Sequence, residues 1–98
     1  MNPQDQVVVT DQLRRALVAF QTAENLLLAT HRRLKAVPQT EMDAFWDGPG
    51  RRIEANVWAT AAALVVAFKA FSAAGLVAGA VDRHLVTQAQ RCLAEGPA

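Results

Sequence analysis

Apolar positions recur along this chain at the spacing of a helix, and the alternation of a strand is nearly absent. Leu13, Ala16, Phe20, Ala23, Leu27, Thr30 and Leu34 follow one another at steps of three and four, which places them on one stripe of a first helix over about residues 10–36. Arg14, Arg15, Gln21, Glu24, Arg32, Arg33 and Lys35 fall off that stripe, so the outer side of this helix is polar. Thr10 or Asp11 is its expected N-cap, because either short side-chain oxygen accepts from the free amides of a first turn. Pro38 is expected to close it.

The pattern resumes after a bend. Ile53, Val57, Thr60, Leu64, Ala67, Phe71, Ala74, Ala78, Val81 and Leu85 again alternate four and three, predicting a second helix over about residues 51–81, with a polar C-terminal helical arm over about 82–95. The segment between, 38–50, combines turn formers with Phe45 and Trp46, and Thr40 caps one helical turn through Phe45. Gly48 and Gly50 are expected to supply positive φ there, with Trp46 folded over the open helix ends.

The second helix differs from the first in being apolar all round. Residues 57–81 carry one charged side chain, Lys69, and a further apolar face at Trp58, Ala62, Val65 and Leu76, flanked by Phe68, has no evident cover within so short a chain. Facing the two stripes across an antiparallel hairpin leaves that face for a second hairpin, giving a four-helix bundle from two chains. The expected core and partner interface is therefore Ile53, Val57, Trp58, Leu64, Val65, Phe68, Phe71 and Leu76. Gly75 and Gly79, four apart, either admit a closely packed helix or mark a loosened end. A membrane is the competing cover. The segment exceeds the ~20 apolar residues a bilayer span needs, but Lys69 would lie near its centre at a cost of about 2.5–3.5 kcal/mol.

Composition agrees with an interface. The chain has 98 residues, enough for one small domain, and 52 % hydrophobic residues is more than such a domain needs for its own core. A formal net charge of +1 gives no footprint for a polyanion, so nucleic acid is not an expected partner. The lone Cys92 makes no intrachain disulfide, and His31 and His84 have no acid or thiol in helix register, so no metal site and no cofactor are expected. Glu41, Asp43, Asp47 and Glu54 gather at the bend without a pocket for acid–base work, and no catalytic constellation is present, so the chain reads as a non-enzyme. Arg32, Arg33 and Lys35 complement the negative end of the first helix. The N-terminal residues have acid before base and no apolar run with a small-residue cleavage site, so no secretory signal peptide is read there.

Trp46-Asp47-Gly48, a Trp-Xaa-Gly in the bend of a helical hairpin of this length, resembles the WXG (ESAT-like) family of type VII secretion substrates. The resemblance covers the hairpin plan of the whole chain, and its specific motif is these three residues. It implies a homodimer, or a heterodimer with a paralogue, exported folded without a signal peptide through a dedicated membrane machine. The implied role is effector, virulence factor or chaperone-like carrier, with no enzymatic activity. The chain has no tyrosine, so it lacks the Tyr and following acidic residue that form the family's export signal, which would make it the passive subunit of a pair. The alternatives are a cytoplasmic structural or accessory subunit of a larger helical assembly, such as a phage, secretion or nucleoprotein complex, and a membrane-embedded hairpin.

Overall fold

The computed structural model describes residues 2–96, and all regular structure among them is helical. Four helices follow one another: α1 (Pro3–Leu34), α2 (Gln39–Asp47), α3 (Pro49–Ala73) and α4 (Ala80–Glu95). They form a rod of 56 × 20 × 19 Å in which α1 and α3 make the principal pair and α4 packs on both. The protein is all-α.

α1 begins seven residues before the expected position. Asn2 is its N-cap, accepting from the Gln4 N–H at 3.1 Å, and Pro3 takes the first helical position, where a missing donor costs nothing. Thr10 is thus interior to α1, with its hydroxyl donating to the Gln6 carbonyl at 2.7 Å, and Asp11 pairs on the surface with Arg15 at 2.9 Å. The Val7–Val9 run suggests β structure by propensity, yet an Asn-Pro start overrides it. At the other end His31, Arg32 and Arg33 lie in the last turn beside the exposed carbonyls.

The core lies where the two stripes meet. Phe20 and Leu64 are fully enclosed, and Leu13, Leu17, Ala23, Val57, Ala61, Ala67 and Phe71 are buried around them. Thr30, the polar member of the α1 stripe, is buried too, and its hydroxyl donates to the Leu26 carbonyl at 2.7 Å, so it needs no partner from another element. Ile53 and Thr60 are half-buried at the margin of the contact.

α3 stops at Ala73, eight residues short of the expected end. Gly75 takes φ 80° and closes the helix in a Schellman arrangement, in which the Gly75 N–H donates to the Ser72 carbonyl at 2.9 Å and the Leu76 N–H to the Phe71 carbonyl at 3.4 Å. The chain then reverses over residues 74–79 and α4 returns along α3. Ala78 stays buried, but Val77 and Val81 are left 87 % and 75 % exposed. Residues 57–81 therefore form no straight span.

The interior contact of α4 consists of Val86 and Ala89, both buried, with Leu85, Cys92 and Leu93 packed beside them. Near its end, a Cβ placed on Gly96 would lie 3.9 Å from Cη2 of Trp58. α4 consequently supplies a cover for Trp58, Val65 and Phe68 that the hydrophobic pattern alone did not provide, while Leu76, in the turn, lies beside the N-terminal part of α1. Val65, Phe68 and Leu76 are half-buried against the core.

Candidate functional site: the bend and the uncovered face of α3

At the bend, Pro38 starts α2 rather than merely ending α1, and α2 carries Trp46 in its last turn. Gly48 joins α2 to α3 with φ −120° and ψ −102°, and Pro49 begins α3. Trp46 is half-buried and touches three places at once. Its ring lies 4.5 Å from that of His31, tilted by 31°, and 5.2 Å from that of Phe45, edge to face. Against α3 it rests on Gly50, where an added Cβ would overlap Cε3 and come within 3.0 Å of Cδ2 and Cζ3.

Gly50 is therefore required for space. The positive φ expected at Gly48 and Gly50 occurs instead at Gly75 and Gly96. Nothing in the residue pattern signals the partnership with His31, an exposed residue on α1 that reaches the ring across the bend. Substituting Gly50→Ala is expected to lower stability by about 1 kcal/mol, because the gain in helix propensity is smaller than the cost of displacing the indole. Chemical denaturation checks it, and an increase in stability would contradict the packing.

The acidic residues at the bend do not converge. Arg51 and Asp47 approach at 4.0 Å on the surface, and Gln39 Nε2 donates to Asp43 at 2.8 Å. Among the described residues no three His, Cys, Asp or Glu side chains come together as a metal cluster would require. His84 meets Gln88 at 3.2 Å on the outside of α4.

Glu24 and Cys92 are the groups whose titration the fold perturbs. Burial pushes the Glu24 carboxyl above its ordinary range. The Cys92 thiol is also raised, first by burial and then by the negative charge of Glu24 and Glu95, so it stays protonated and poorly nucleophilic. Because the raised carboxyl favours the protonated form in the folded state, its contribution to stability is present at low pH and lost as pH rises through the folded pKa. Glu24→Gln is thus expected to be more stable than the parent at neutral pH, the two converging well below the ordinary carboxylate range. Denaturation midpoints at the two pH values read this directly.

The other feature is a surface. Of the residues expected at a partner interface, Val57, Leu64 and Phe71 lie in the core, and Ile53, Trp58, Val65, Phe68 and Leu76 are half-buried. The face of α3 that remains open shares only Ala62 with the expected one and is made by Ala55, Ala59, Ala62, Val66 and Ala73, with Val66 68 % exposed and Lys69 at its edge. Only 22 % of the most apolar 18-residue window of α3 is buried. That window would suit a core helix, yet it is mostly half-buried or exposed. Lys69 is exposed and has no ion-pair partner among the described residues.

No family model, curated protein or solved structure matches the chain.

Proposed function

We propose that this chain is a non-enzymatic interaction protein that docks another helical hairpin, a second copy or a paralogue, on the open face of α3. The observation that carries the reading is a helix as apolar as a core helix of whose most apolar window only 22 % is buried, with Ala55, Ala59, Ala62, Val66 and Ala73 left exposed along one side. Alanines at this face let a second helix come close, and Val66 supplies a larger apolar contact at its middle. A partner completes the surface best with a carboxylate opposite Lys69, which otherwise keeps its ammonium at the wet rim.

The WXG-type role belongs to the same proposal. It is supported by the antiparallel α1–α3 pair and by Trp46-Asp47-Gly48 at the turn between them, where the ring ties α1 to α3. On this reading Trp46 stabilises the hairpin that is presented to the partner. The paired chain carries the export signal, and the hairpin leaves the cell with it.

A membrane is the competing occupant that the structure itself raises, because α3 is long and apolar enough to cross one. Preparation without detergent separates the two. A discrete soluble oligomer supports the protein partner, whereas material dispersed only by detergent supports the bilayer.

A further inference from the structure

The outward side of the first half of α1 mirrors itself about its centre, except that the charge changes sign. Gln4, Val7, Asp11, Arg14, Val18 and Gln21 follow at steps of three, four, three, four and three, which puts them on one stripe of the helix, and all six are exposed. Counted outward from the point between Asp11 and Arg14, each side presents a charge, then a valine, then a glutamine. The two charges are opposite. Val7 and Val18, 69 % and 60 % exposed, flank them.

The fold leaves this stripe uncovered. α1 turns Leu13, Leu17, Phe20 and Ala23 into the core, and the stripe runs along the side of α1 away from α3. Asp11 reaches Arg15 of its own helix at 2.9 Å on the surface, while Arg14 has no ion-pair partner among the described residues. Arg14 also stands where two surface clefts meet, one shared with Val7 and Leu76 and the other with Val18, Val81 and Leu85, so open apolar ground lies on both sides of it.

We infer that the first half of α1 pairs antiparallel with the same stretch of a second copy, about a two-fold axis between Asp11 and Arg14. Positions whose numbers sum to 25 then come level: Asp11 with Arg14 of the second copy, Val7 with its Val18, and Gln4 with its Gln21, each pair occurring twice. The stripe is self-complementary, as an isologous contact requires. Valine layers close the two charge pairs in from either end, and each Asp11 lies between Arg15 of its own chain and Arg14 of the other. A parallel arrangement would set Asp11 on Asp11 and Arg14 on Arg14, so the charges select the antiparallel one. The contact is a single helix stripe on each copy, so the pair is weak and forms at high protein concentration.

This pairing is separate from docking on the open face of α3. The test is therefore made on the full chain carrying Ala62→Glu, which blocks that face, by sedimentation equilibrium up to the solubility limit. A reversible monomer–dimer equilibrium is expected. Asp11→Arg and Arg14→Asp, both at exposed sites, are expected to keep the parental helicity and each to weaken the pair by on the order of tenfold or more, because each sets like charges level with one another. Mixed in equal amounts, the two variants are expected to pair again, since the arginines of one then meet the carboxylates of the other. The double exchange, Asp11→Arg with Arg14→Asp, restores the pairing within one sequence and leaves the net charge unchanged, which separates register from a general charge effect. An Ala62→Glu chain that stays monomeric up to its solubility limit overturns the inference. So does a single variant that pairs as strongly as its parent, or a mixture or double exchange that fails to recover association.

Discussion

Replacing Trp46 with alanine is expected to destabilise the protein by about 2–3 kcal/mol, less than the 3–5 kcal/mol of a fully buried aromatic because the ring is half-exposed. In a domain of this size that is a fall in melting temperature on the order of 10 °C. The loss has three parts: the stack on His31, the edge contact with Phe45, and the cover over Gly50. These tie the end of α1, the end of α2 and the start of α3 together, so the bend, more than the α1–α3 core, carries the damage. The assignment has an internal check. Gly50→Ala is costly only while the indole occupies the space of its Cβ, and in the Trp46→Ala background it is expected to become neutral or stabilising. An unchanged melting temperature for Trp46→Ala would show that the ring is held for a partner and contributes nothing to the hairpin.

The second large effect is on association. Ala62→Glu places a carboxylate in the middle of the open face of α3, four residues before Val66 and seven before Lys69, too far along the helix for a pair with the lysine at the usual spacing. In the isolated chain Ala62 is exposed, so folding stability is expected to change by no more than about 0.5 kcal/mol. In the assembly the same carboxylate is buried without a partner, which costs several kcal/mol and weakens binding at least 10²-fold. The separation of the two readouts matters. A core residue such as Leu64 would lose both, whereas an interface residue loses association alone.

Much of this arrangement is written in the hydrophobic spacing. Phe20 and Leu64, central members of the two predicted stripes, are the largest fully enclosed side chains, because a three-four repeat determines which residues two antiparallel helices offer each other. What the spacing could not give is where a helix stops. The α3 stripe continues in phase through Ala74, Ala78, Val81 and Leu85, yet one residue at φ 80°, Gly75, turns the chain back. Periodicity carries no information about that choice between a straight and a reversed path. With α4 reversed, Trp58, Val65, Phe68 and Leu76 acquire a cover within the chain, and of the expected open face only Ala62 stays exposed, joined by Ala55, Ala59, Val66 and Ala73.

The site at the bend was legible in its residue types but not in its contacts. Trp46 beside glycines suggested a lid over a turn. The reason for Gly50, close approach of the indole, and the role of His31 depend on α2 being a helix that aims the ring across the bend, which a three-residue motif does not specify.

The most direct test of the open face of α3 is light scattering during size-exclusion chromatography without detergent, over a range of concentrations, on the parent chain and on Ala62→Glu. The parent is expected to form a discrete, concentration-dependent oligomer and the variant to lose it, with helicity and melting temperature preserved. A parent that stays monomeric throughout, or an Ala62→Glu chain that assembles as the parent does, would contradict docking on that face.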